Sequence, residues 1–540
     1  HLGSRCALRA WGQAAPDLFP CPCPRTHVEP WSAAAARGEL REDELEPDAD
    51  GDAASWRRAG PEEPSAFMVL QYPLFQLAPS LSLSRREAVA NLVANMLGVG
   101  SLAMPRAVAQ AGLLTGLLVL AGMAAMSRET LLLLLRLGRK VHGGPSYPEL
   151  GRRAMGPQGL VVVLIVYLLY SGGLLTAYLV ALADLLQQAV GEFQGTPDPP
   201  RLPAALVAIG LCAPGAVLRS LRFVTVVSGA CMVGAALLVI SLLLACLGDV
   251  LPAWLPGTPE DAVGISEEVV YVQTGLGGLL AAAALFAPQL SVHAGFVEVL
   301  GSGEDQEMEL ETEGRFASAG FGSSNACGLD VKAASADAFL AASLLLGSVG
   351  AAGYLRFGGS VAGDVLSSFG TGYAAVGGAR RTALLLARGA YVLTLAASSA
   401  FVATPCRTVV LELFAVRRSV EGTSNRALRR ASALVLSVCG LAAWLQRDLS
   451  RVLAFVGAWA AGPLMLLLPS LFAVEFARRQ EGRPYASLAN LRHFGVFAVG
   501  ALLLLGHLCE SVAFALSQPP GHRGMRVTVH GLASITSSVP

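Results

Sequence analysis

The chain has 540 residues and equal numbers of basic and acidic side chains, 39 each, so no bulk field argues for a nucleic-acid partner. Hydrophobic residues make up 54% and charged residues only 14%, against roughly a quarter charged in soluble domains. With a mean hydropathy of +0.55, this excludes an ordinary soluble globular protein and points to an all-α, polytopic membrane protein.

The first 84 residues are rich in Pro, Ala, Gly and charge, with an acidic run ELREDELE at 39–46 and no cleavable signal pattern. They read either as a disordered cytoplasmic tail or, in part, as translated sequence upstream of a start at Met68. Cys21 and Cys23 form a C-P-C with no second ligand pair at zinc spacing. The cysteines at 212, 231, 246, 406, 439 and 509 lie in apolar segments, where a thiol acts as a small hydrophobe.

From residue 85 to 516 apolar runs of membrane-spanning length recur. Eleven are expected, at about 87–110, 112–137, 160–190, 202–218, 221–247, 269–297, 333–355, 382–413, 431–446, 449–473 and 494–516. The ninth is short and the third long enough to tilt. Clusters such as Arg139 and Lys140, Arg152 and Arg153, and Arg417 and Arg418 fall in alternate connections. By the positive-inside rule these are cytoplasmic, with the N-terminus inside and the tail at 517–540 extracellular or lumenal. The segment 301–332 reads as an acidic, flexible intracellular loop.

Two spans contradict their own helicity. The first contains NLVANMLGVGSLAMP at 91–105, with Gly98, Gly100, Ser101 and Pro105 near mid-depth. The sixth carries Pro288 and Gly295 around Gln289, Ser291 and His293. An unwound turn leaves backbone groups without partners, which hydrocarbon does not tolerate but a ligand site does. Interrupted helices in corresponding positions, five spans apart, point to the binding site of a secondary transporter. Glycines at 98 and 100 allow the backbone to approach a small ligand. The loose G-x-G-x-x-A at 98–103 lacks the strand and soluble βαβ unit of a dinucleotide site. Gly112 and Gly116 read as a small-residue packing contact.

Ionisable groups within spans default to functional candidates. His293 beside the sixth-span break is suited to take a proton or to donate to a substrate amide. Asp184 is expected to reach water near a span end, Arg388 to cap an outer vestibule, and Glu298 to lie at an inner gate or interface. Glu412 and Arg407 read as a surface pair or snorkelling charges, and His507 with Glu510 as a structural pair on one helix face. No paired carboxylates, nucleophile–base arrangement or metal cluster is apparent, so no enzyme activity and no cofactor is expected.

The motif at 91–112 resembles the first-helix N-L-…-G-x-G-x-L-x-x-P pattern of the amino acid/auxin permease family. GYLRFGGSVAGDVLSSF at 353–369 is similar to that family's stretch after the seventh helix, and RGAYVLTLAASSAFVATPCRTVV at 388–410 to its eighth. The middle motif looks most like the sodium-coupled neutral amino acid transporter branch. The resemblance implies a LeuT-like fold of about eleven transmembrane helices: a 5+5 inverted repeat with discontinuous helices 1 and 6, plus a final helix. It also implies alternating-access transport of neutral, glutamine-like amino acids driven by sodium or protons. Substrate would meet Gly98, Val99, Gly100 and Ser101, faced by Phe286, Gln289 and His293. A cation would lie between the first-helix break, with Asn91 and Asn95, and Ser398 and Ser399 of the eighth helix. The family's second asparagine is Ala94 here, and Asn95 is turned by roughly 100° around the helix. Val297 and Leu300 stand where the sixth helix usually has proline and tyrosine. Sodium and proton coupling therefore both stay open. The expected partners are an amino acid and the lipid bilayer of a plasma or endolysosomal/vacuolar membrane, with a monomeric transport unit. The alternative is a sensor that binds amino acid with little flux and signals through its cytoplasmic segments.

Overall fold

The computed structural model describes residues 85–138, 147–194, 196, 199–217, 240, 243, 269–293, 331–369, 379–414 and 425–517. Several expected features lie outside the described residues: the tail to 84 with Cys21 and Cys23, the fifth span apart from residues 240 and 243, and the sixth span beyond His293 with Glu298. The acidic loop to 330 and the tail from 518 do so as well.

Among the described residues every regular element is helical. The first span is α1 (Arg85–Met96), a 3-10 turn (Val99–Ala103) and α2 (Met104–Ala111). Then come α3 (Leu113–Gly138), the short α4 (Tyr147–Met155), α5 (Pro157–Gln194), α6 (Arg201–Val217) and α7 (Leu276–Leu290). The remainder comprises α8 (Val331–Phe357), α9 (Val365–Ser368), α10 (Ala379–Phe414), α11 (Asn425–Leu445), α12 (Leu449–Val456), α13 (Leu468–Glu481) and α14 (Leu491–Ser517). Among the described residues, seven segments are long and apolar enough to cross a membrane, and α6 and α7 are shorter apolar helices. The ninth expected span is a full helix. The third, α5, has 38 residues and so a length of about 57 Å, well beyond a hydrocarbon core.

Helices of this bundle are apolar on both faces. Leu118 of α3, Leu340 and Leu344 of α8, and Val438 and Leu441 of α11 are exposed. In water such patches would aggregate; against acyl chains they are the expected surface. Inward contacts rely on small residues: a Cβ on Gly173 would lie 2.3 Å from Val456, and one on Gly215 2.9 Å from Ala400. Gly116 likewise packs on the Val108 backbone. Gly112 does something else: at φ +81° it ends α2 and lets α3 begin, with the Leu113 and Leu114 amides donating to the Val270 and Tyr271 carbonyls (2.9 Å each).

Between α12 and α13 the chain winds through two π-helical turns, Gly457–Ala461 and Pro463–Leu467. The wider turns loosen the hydrogen-bond ladder, and the Leu464 carbonyl accepts the Tyr147 hydroxyl of α4 (2.7 Å).

Candidate functional site

The first interruption is made by its own residues. The Leu97 amide donates to the Val93 carbonyl (3.0 Å), and Gly98 then leaves the helix at φ −65°, ψ −158°. The chain re-enters through the 3-10 turn, where the Ser101 amide donates to the Gly98 carbonyl (3.1 Å). Pro105 sits in the first turn of α2, where a missing N–H has no partner to lose. It starts the second half of the span. The Gly98 carbonyl also lies 3.0 Å from Ser101 Oγ and 3.3 Å from Tyr391 Oη of α10, and those two hydroxyls are 3.1 Å apart. Three oxygens thus share two hydroxyl protons. A Cβ on Gly98 would stand 3.3 Å from Tyr178 Oη of α5, and one on Gly100 only 1.4 Å from Gln289 Nε2 of α7.

The second interruption comes three residues after the proline expected to cause it. α7 runs through Pro288 to Leu290, and the chain leaves the helix at Ser291 (φ −85°, ψ 78°). Pro288 has no N–H, so the Ala284 carbonyl lacks its helical donor. Gly457 covers that carbonyl so closely that a Cβ would lie 1.7 Å from its oxygen. The carbonyls freed at the true break are met by hydroxyls from neighbouring helices. Ser127 Oγ of α3 donates to Leu290 (2.6 Å), and Tyr170 Oη of α5 donates to Ser291 (2.9 Å) and reaches Pro288 (3.3 Å).

The structure therefore brings Gly100 against Gln289, with Gly98, Val99 and Ser101 in the same unwound turn and Phe286 fully buried one turn earlier on α7. Gln289 is 3% exposed, and its Nε2 has no hydrogen-bond partner among the described residues. His293 is fully buried but faces α3, with Nε2 2.9 Å from Thr130 Oγ1 and 3.1 Å from the Ser127 carbonyl. Asn95 is exposed, and the Asn91 side chain lies outside the described residues. Ser398 is half-buried, and Ser399 donates to the Ala396 carbonyl of its own helix (2.6 Å) beside Cys212 of α6.

Sequence reasoning missed the three tyrosines, 170, 178 and 391. Each is one of several aromatics in a long apolar helix, and helical periodicity alone does not say which ring meets an unwound turn. It also misplaced one charge. Arg407 is buried and, with Ser432 Oγ (2.8 Å), donates to the Ala216 carbonyl at the end of α6. Asp184 pairs with Arg201 (2.9 Å). Arg388 is buried and holds Glu192 together with the Leu366 carbonyl (3.2 Å). His507 stands beside the Phe455 ring, and the side chains of Glu412 and Glu510 lie outside the described residues.

Two carboxyls outside the spans are displaced in opposite directions. Burial pushes Asp364, the N-cap of α9, up to about 6, against the Leu366 amide (2.9 Å) and the Arg388 charge. Burial also works to raise Glu149 of α4, but Arg152 (2.7 Å) and Arg153 (2.9 Å) hold it below the usual range.

The fold is that of a helical membrane protein whose first span unwinds against a second interrupted helix. The sequence profile of the transmembrane amino acid transporter protein family matches residues 82–270 and 330–508, and the chain belongs to that family. Among solved structures it is similar to the inward-facing conformation of Mhp1, with 13% identity and a TM-score of 0.49 over 81% of this chain and 91% of that one.

Proposed function

We propose that this amino acid transporter moves neutral, glutamine-like amino acids by alternating access, coupled to a sodium or proton gradient, in a LeuT-like five-plus-five arrangement with its N-terminus cytoplasmic. The observation that carries the substrate class is the set of polar groups at the interruptions. Ser101, Tyr178, Gln289 and Tyr391 are all uncharged, and Gln289 brings a buried amide nitrogen without a partner. A zwitterion's carboxylate and ammonium suit the unwound backbone of Gly98, Val99, Gly100 and Ser101, and an uncharged side chain suits the carboxamide. A cationic or anionic side chain would lie buried without a counter-charge from these groups. The test is uptake of labelled amino acids into proteoliposomes under an inward sodium or proton gradient. Accumulation of glutamine or a similar neutral amino acid, outcompeting lysine and glutamate, is expected; absence of accumulation under either gradient overturns the reading.

A further inference from the structure

Tyr391 lies on the eighth expected span, about two helical turns before Ser398 and Ser399, and its hydroxyl reaches the interrupted turn itself. A cation bound at such a turn takes freed carbonyl oxygens as ligands. The Gly98 carbonyl is not free: it accepts the Ser101 amide (3.1 Å) and has the Ser101 and Tyr391 hydroxyls at 3.0 and 3.3 Å. A carbonyl has two lone pairs, so a cation would have to displace one of these donors. Ser399, expected to complete the ion shell, gives its proton to Ala396. The eighth-span hydroxyl that does reach the turn is the phenol, on a ring only 1% exposed.

We propose that Tyr391 is a positioning residue that holds the interrupted turn in its substrate-ready shape in place of a bound cation, so the substrate site forms without sodium. The inference rests on the reading of this turn as the substrate site. The phenol bonds Ser101 Oγ and the Gly98 carbonyl together, and Ser101 in turn closes the 3-10 turn through its own amide. Removing only the hydroxyl keeps the buried ring and its packing. It leaves one hydroxyl proton where two had been shared.

The test uses the full chain in lipid nanodiscs and in proteoliposomes, comparing wild type with Tyr391→Phe in sodium and in choline. Hydrogen exchange of the backbone over residues 97–104 reads the turn directly, because the Ser101 amide is one of its bonds. Wild-type exchange and wild-type KM are expected to be the same in both salts. Tyr391→Phe is expected to raise exchange in this segment and KM by about tenfold, the scale of one buried hydrogen bond, with Vmax little changed. Sodium that slows wild-type exchange here or lowers wild-type KM overturns the proposal, as does unchanged exchange in Tyr391→Phe. Should wild type move no amino acid, the function proposed above fails, while the exchange measurement still decides this inference.

Discussion

The two interruptions reach the same end by different means. The first is made mostly from within: Gly98 and Gly100 permit the backbone course, Ser101 closes it, Pro105 starts the next helix, and one hydroxyl from outside, that of Tyr391, joins them. The second is held from outside. Its helix runs past the proline with Gly457 packed on the orphaned Ala284 carbonyl, and its freed carbonyls take hydroxyls from Ser127 and Tyr170. A break encoded locally needs permissive residues at the break; one held by neighbours needs matching residues on other helices. The two should therefore fail differently when changed.

The largest effect is expected at the second. In Gly457→Ala the new methyl meets a backbone carbonyl, with Pro288 Cδ at 3.1 Å behind it, and neither is a flexible side chain that can swing aside. Overpacking of this kind costs about 1–3 kcal/mol or more. Loss of monodisperse protein on size exclusion, or a clear drop in thermal midpoint, is expected; wild-type stability in Gly457→Ala would mean that the helices are not held this closely.

Gly100→Ala should be milder in folding and as severe in transport. Its methyl meets only the end of the Gln289 side chain, 1.4 Å from Nε2 and 2.0 Å from Cδ. That obstacle can move or be removed. Gly100→Ala is expected to abolish uptake, and Gly100→Ala with Gln289→Ala to bind labelled substrate again, read in a double-mutant cycle as coupling above about 0.5 kcal/mol. Additive losses in the cycle would show that the turn and the carboxamide do not meet during transport.

This contrast also explains what the sequence could and could not disclose. The first break is legible because its cause lies in the residues that unwind: two glycines, a serine and a proline in fifteen residues. The second is legible as a stretch, from Pro288 through Gln289 and Ser291 to His293, and the chain leaves the helix within it, at Ser291. What packs against the proline turn is Gly457, some 170 positions away, and no local pattern carries that contact. The spans themselves were legible because lipid demands long apolar runs. The Asp364 motif was legible as a pattern but not as physics; its carboxylate serves as a helix cap, bonded to the Leu366 amide. The tyrosine hydroxyls needed the packing of α5 and α10 before they could be placed.

The smallest effect asks whether the difference extends to the ends of the bundle. Asp364 caps α9, which lies against the 3-10 turn of the first interruption, whereas Glu149 belongs to α4, whose Tyr147 holds the π-helical span beside the second. Asp364 rises from 3.8 to about 6 in the folded chain, so its contribution to stability is complete below 3.8 and is lost as pH climbs through about 6. Glu149 falls below 4.5, so its contribution is present above 4.5 and disappears as pH drops through its lower folded value. The thermal midpoint of Asp364→Asn relative to wild type should therefore fall as pH goes from 7 to 4. That of Glu149→Gln should start below wild type at pH 7 and converge with it in acid. Shifts of about 2 °C are expected for each, opposite in sign. Parallel pH trends in the two variants would mean that the carboxyls share one environment, and that the asymmetry between the interruptions stops at the unwound turns.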